Sequence, residues 1–181
     1  MTDEAQQDPI SLAPDDKDWT WVLDEPCAEC GFDAATVTRD DIPSRLVAAT
    51  PRWHTALAAP GGADRPSPGT WSVLEYACHP RDEHTVFTRW ARLVQNRENP
   101  EFENWDQDKT ALAGRYRAAD PARVAAEIEA AGLPAAAASY GLTAQQWCRP
   151  GRRSNGSAFT MESLGLYYLH DVQHHLHDVG A

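Results

Sequence analysis

No run of about 18 apolar residues occurs in the 181-residue chain, so it contains no candidate membrane-spanning helix. There is no glycine-rich phosphate loop, no GxGxxG fingerprint and no internal repeat, which removes nucleotide cradles and solenoids from consideration. Strand signals are few. Positive charge is scarce: 16 Lys and Arg stand against 27 Asp and Glu, a formal net charge of −11. A chain of that sign lacks the basic face that phosphate backbones require, which argues against a nucleic-acid partner. The one basic cluster, Arg149, Arg152 and Arg153, is too short to reverse this and reads as a solvated loop. The opening residues, Met1-Thr-Asp-Glu, are acidic with no apolar core region, so no secretory leader and a cytoplasmic location are expected. Four cysteines in that compartment are thiols or metal ligands rather than disulfides.

What is present is enough apolar material for one sizeable core: 42% hydrophobic residues and seven Trp. Residues 1–37 read as an N-terminal arm with a Cys27-Ala-Glu-Cys30 motif, and residues 38–181 as one domain. The first 18 or so residues of the arm are polar and acidic, a loose segment; Trp19, Trp21 and Leu23 then call for burial against the domain. Ile42, Leu46, Ala49, Trp53 and Leu57 recur at helical spacing after Asp40 or Asp41, with Pro43 suited to the first turn. His54, beside this stripe, reads as structural. A second helix spans Trp71 to Val94, and Pro80 should kink it immediately after His79. The connection from Asn96 to Tyr116 is polar with embedded aromatics. A third helix, Ala122 to Ala131, is interrupted by Gly132 and Pro134, and Thr160 caps the last one. Four main helices predict an all-α fold, a four-helix bundle with the N-terminal extension packed on it; bundles build metal sites from inward-facing side chains.

The last helix holds four of the seven histidines. His170 and His174 are spaced i,i+4, one turn apart on one face, and such a pair can chelate one ion. Glu is missing from the second position of this HxxxH, which argues against a zinc protease. A further ligand must come from elsewhere in the chain.

Trp71-Ser-Val-Leu-Glu-Tyr-Ala-Cys-His79, with Asp82 after it, resembles the second helix of the DinB-like superfamily, and His170-Asp-Val-Gln-His174 resembles its fourth-helix ligand pair. That group includes the mycothiol-dependent maleylpyruvate isomerases and related thiol S-transferases. The resemblance covers roughly residues 38–179 and implies a divalent-metal site made by His79, His170 and His174, with positions left open. Pro80 and His177 depart from the pattern. The isomerase branch has Glu at the first position of the fourth-helix pair, so isomerase activity is not carried over.

Three imidazoles and an open position suit zinc, with nickel or another late divalent ion as alternatives. The expected activity is that of a metal-dependent enzyme activating a low-molecular-weight thiol, of S-transferase type, or water, on a small-molecule substrate. The alternative is a non-catalytic metal-binding or interaction module, and the family resemblance makes a homodimer an expectation. Asp82, Asp171 and Asp178 are candidate acceptors for the ligands' other N–H groups, with Asp82 favoured by helix phase. Tyr167 is a core tyrosine or a substrate-orienting one; His84 and His175 are expected to point away from the site. Cys27 and Cys30 read as ordinary thiols, a redox pair or a second metal site, with Cys78 and Cys148 isolated. In the sharpest form of the last reading, Cys27 or Cys30 reaches the His site from an arm pinned down by its tryptophans.

Overall fold

The computed structural model describes residues 17–181; the loose segment expected for the first residues lies, as far as residue 16, outside the described part. Four long helices dominate: α1 (Ile42–Ala58), α2 (Val73–Asn96), α4 (Pro121–Ala137) and α6 (Met161–Asp178), with short helices α3 (Gln107–Ala113) and α5 (Ala144–Trp147) between them. The stripe read in α1 is the one it buries: Ile42, Leu46, Ala49, Trp53 and Leu57. Packing is closest between α2 and α4 and between α1 and α4, while α6 closes the ring against α1 and α2. The core runs along the bundle axis through Trp53, Leu74, Trp90, Ile128, Leu169 and Leu176.

Capping explains where the site-bearing helices begin. Ser72 and Glu75 form a reciprocal capping box at the start of α2, and Thr160 and Ser163 do the same for α6. Glu75 is buried and also binds Arg65, at 2.9 Å through Nε.

The interruption expected in the third helix is absent, and the helix carrying Pro80 is continuous. α2 runs through Pro80 as one helix, and α4 runs through Gly132 and Pro134. A proline removes one backbone donor, and burial of both helix faces against neighbours outweighs that loss. Gly132 is needed for another reason: a Cβ there would lie 3.3 Å from His84 Nε2, so the missing side chain makes room for the imidazole.

The connections contain a small sheet that period-2 reading did not find. β1 (Glu101–Phe102) pairs in parallel with β2 (Pro150–Arg153), and β2 pairs antiparallel with β3 (Ala158–Thr160). Strands of two to four residues are too short to show an alternation. Gly151 lies opposite Phe159, where a Cβ would come within 2.6 Å of Val94, so β2 sits tight on α2. β3 leads directly into α6 and fixes the entry of that helix.

The arm packs on the bundle. Trp19–Leu23 forms a 3₁₀ turn capped by Asp18, and the segment from Cys27 to Val37 supplies buried Cys27, Phe32, Ala34 and Val37 to the core. Among the described residues, no helix is long and apolar enough to cross a membrane.

Candidate metal centres

On α6, positions 170 and 174 form one i,i+4 pair and positions 171 and 175 another, offset by about 100° around the helix. Each pair meets different partners. His79, Asp171 and His175 form one cluster; Cys27, Cys30, His170 and His174 form a second. In each, one ligand atom per residue lies within 4.8 Å of all the others. The histidines expected to share one ion are therefore divided, His79 into the first cluster and His170 with His174 into the second. Spacing could not choose, because both pairs have the same period and sit one residue apart.

In the first cluster, Asp171 stands between two imidazoles. One oxygen is 3.1 Å from His175 Nε2 and the other 3.6 Å from His79 Nε2. His79 is 1% exposed and neither ring nitrogen makes a hydrogen bond. The rings of Trp105, at 4.9 Å, and Trp71, at 5.9 Å, enclose it. Burial lowers its proton affinity, with Asp171 acting against that, and the imidazole is held below its usual value. Burial also acts against a charged His175, but Asp171 and then Asp178 outweigh it and carry His175 up to about 9. Asp171 is held well below the usual carboxylate range: burial opposes this, and His175 overcomes it. Asp178 accepts from His175 Nδ1 at 2.9 Å, which leaves Nε2 facing Asp171.

Glu83, one turn beyond His79 on α2, is fully buried and its oxygens have no hydrogen-bond partner. Burial, then the charge of Asp171, hold its carboxyl well above the usual range, so it is a neutral acid behind the cluster. Sequence reasoning passed over Glu83; its signal was the i,i+4 spacing from His79. His175 was expected to point away and instead faces His79, ring centroids 4.7 Å apart. Asp82, favoured as the acceptor for His79, turns to the far side: its carboxylate receives Arg81 Nε at 2.8 Å and the Tyr116 hydroxyl at 2.7 Å. Asp171 belongs to the cluster itself, and Asp178 takes the outer-acceptor role.

His54, read as structural, and His84, expected to point away, both lie outside the two clusters. His84 is buried and bonds through Nδ1 to the Tyr168 hydroxyl, while His54 Nε2 contacts the Ala125 carbonyl at 3.1 Å.

The second cluster joins the arm to α6. Cys27 Sγ is 3.7 Å from His174 Nδ1. His170 is 3% exposed and its Nε2 has no partner. Trp19 covers both imidazoles, at 5.7 Å from His170 and 5.1 Å from His174, and Phe32 meets His170 edge-on at 5.4 Å. Burial pulls His170 down to about 4 and also lowers His174; burial pushes the Cys30 thiol up to about 11. Cys27 and Cys30 are free thiols, as are Cys78 and Cys148.

A cavity of about 330 Å³ opens on both clusters, with Tyr76, Gln107 and Tyr167 in its wall. A second, of about 390 Å³, adjoins it through Lys17, Trp19, Gln107 and Tyr167 and reaches Arg153. Tyr167 thus faces the clefts; burial and the charge of Asp171 push its hydroxyl up to about 12, leaving it a neutral donor. Of the basic cluster read as solvated, Arg153 is instead buried, between Phe159 and Tyr167. A larger groove, about 1110 Å³ between α2 and α4, carries none of the clustered ligands, so volume alone does not mark the site.

Buried imidazoles, a carboxylate and thiols gathered on a four-helix bundle define a candidate metal-binding protein. No protein-family model and no curated protein matches the chain. Among solved structures it is similar to YfiT from Bacillus subtilis, a probable metal-dependent hydrolase with an unusual four-helix bundle topology. The TM-score is 0.68 at 23% identity, covering 78% of this chain and 86% of YfiT. That likeness establishes the fold, a four-helix bundle.

Proposed function

We propose that the chain is a metal-dependent enzyme that activates water for hydrolysis of a small electrophilic substrate, with His79, Asp171 and His175 as the metal ligands. The observation that carries this reading is the convergence of two imidazoles and a carboxylate from α2 and α6 beside an open cavity. The donor set fits a divalent ion. Two imidazole nitrogens and one carboxylate suit zinc, nickel or a similar metal and leave coordination positions free, the metal displacing the proton that His175 otherwise carries. The buried, unpartnered nitrogens of His79 support the fit, because such atoms ordinarily have a partner.

Bound at this centre, a divalent cation supplies Lewis acidity, which brings a water or thiol proton within reach of neutral pH. The chain's own groups do the rest. Asp178 holds His175 in the tautomer that aims Nε2 inward. Trp71 and Trp105 keep bulk water from His79. Glu83 stays neutral and can offer a proton to Asp171 without adding charge. Tyr167 offers a hydroxyl donor to a substrate in the cleft. The description of YfiT as a probable metal-dependent hydrolase supports choosing water.

A second reading, transfer to a low-molecular-weight thiol such as mycothiol, rests on Asp171. A carboxylate at the first position of the α6 pair is what the isomerase branch of the resembled superfamily carries. One experiment separates the readings. The full chain, loaded in turn with zinc, nickel, cobalt and manganese, is offered ester, amide and phosphoester panels, and electrophiles with and without mycothiol. Hydrolysis that needs metal and is lost in His79→Ala supports the first reading. Thiol-dependent turnover with the same losses replaces it by the second. Metal binding with no turnover on any panel leaves a binding module and overturns both.

A further inference from the structure

The second cluster has a different character from the first. Its four donors are two sulfurs and two imidazole nitrogens, and together they can fill a tetrahedral shell with no position left for substrate. Two thiolates balance the charge of one zinc ion, and a mixed sulfur–nitrogen tetrahedron favours zinc among common divalent metals. Ligands about 2.0–2.3 Å from one ion are at most about 4.6 Å apart. In a tetrahedron they stand about 3.3–3.8 Å apart, so the present spacing, within 4.8 Å, closes by up to about 1 Å around an ion.

The local backbone is shaped for it. Cys27 N–H donates to the Phe32 carbonyl at 2.8 Å and Gly31 N–H to the Cys27 carbonyl at 2.8 Å, closing a tight loop around the two cysteines. Gly31 sits at φ +74°, a conformation that disfavours a side chain. The His174 ring turns Nδ1 toward Cys27, while Nε2 faces Glu29 at 3.4 Å and Asp178 at 3.7 Å. That is the arrangement of a metal-ligating histidine with carboxylates behind it. The buried, unpartnered Nε2 of His170 is the independent sign of a missing partner.

We infer that Cys27, Cys30, His170 and His174 form a structural zinc site that fastens the N-terminal arm to α6. The site is closed, and it is distinct from the open centre at His79, Asp171 and His175. Because the two ligand sets alternate along the same two turns of α6, fastening the arm also fixes the rotation at which Asp171 and His175 face α2. Asp178, next to both His174 and His175, connects the two.

The test uses the full chain with zinc alone as probe. Zinc X-ray absorption on protein loaded with zinc at both centres should show sulfur at about 2.3 Å, on average about one sulfur neighbour per zinc, rising to two in Asp171→Asn. That sulfur signal should persist in Asp171→Asn, which disables only the open centre, and vanish in the double variant Cys27→Ser/Cys30→Ser. Should the double variant not fold, thiol titration of wild type serves instead: one equivalent of zinc should shield two thiols from an alkylating reagent. Zinc that binds with no sulfur neighbours and leaves all four thiols reactive overturns the inference. A Cys27–Cys30 disulfide that forms in air despite saturating zinc does the same. Either outcome leaves the proposed enzymatic role standing, and loss of turnover in Asp171→Asn leaves this site standing.

Discussion

The two clusters occupy the same two turns of α6, yet one reaches across the bundle to α2 and the other outward to the arm. The inward cluster uses a carboxylate, and its Asp171 and His175 border the cavity that His170 and His174 also line. The outward cluster uses sulfur, draws all four donors from the chain and is roofed by Trp19 and Phe32. One helix can thus carry two metal-type sites if consecutive residues form i,i+4 pairs on adjacent faces. The difference between them lies in what α6 meets on each side. A carboxylate with coordination positions left free suits chemistry; paired thiols under an aromatic roof suit a fastening.

The sharpest way to break this comparison is to remove a ligand from the inward cluster alone. His79→Ala should cost at least about 100-fold in metal-dependent turnover, more than loss of an outer hydrogen bond. It should leave the fold intact by circular dichroism. An equal loss on removing Cys30 would erase the distinction.

A buried histidine that belongs to neither cluster gives a reference. Burial, and then His79, push His84 down to about 4 from an ordinary 6.5. It is neutral in the folded chain, whereas the unfolded chain takes up its proton near 6.5, so stability from this group is present above 6.5 and lost as pH falls toward 4. The loss should reach ~3 kcal/mol. It is read as the difference between wild type and His84→Gln in urea unfolding across that pH range. A flat difference would show that His84 is not held neutral.

Asp178→Asn should lower metal affinity about 10–100-fold, at the inward site through His175 and, with a smaller effect, at the outward one. Competition with a chelator measures both. An unchanged inward affinity would remove Asp178 from the design. Thr160→Ala should have the smallest effect. It deletes the α6 cap, whose hydroxyl accepts from Ser163 N–H at 3.1 Å, for about 1 kcal/mol of stability, and shifts both sites alike.

The bundle was legible because α1 announces itself by its buried stripe and α6 by its Thr160 cap, although Asp41 at the start of α1 makes no side-chain capping bond. The short strands were hidden because Pro150-Gly-Arg-Arg carries no alternation and pairs only with distant residues. Gly132 and Pro134, read as an interruption, lie inside one continuous α4. At the site, helix period singled out the turns of α6 that carry both clusters and the family resemblance singled out His79, but neither fixes which neighbour faces which. His170 and His175 differ by more than a turn in sequence and by one face in space, and only the rotation of α6 assigns them. The arm's cysteines were one of several open readings: the tryptophans around them pointed to an arm folded back on the His helix, and Cys27 does meet His174 across 147 residues, but no local pattern chose that reading over plain thiols.

The most direct measurement is anomalous diffraction at the zinc edge from a crystal of the zinc-loaded full chain. The account predicts an ion at about 2.0–2.2 Å from a nitrogen each of His79 and His175 and an oxygen of Asp171. An ion bound by His79, His170 and His174 together, or none within reach of Asp171, would contradict it.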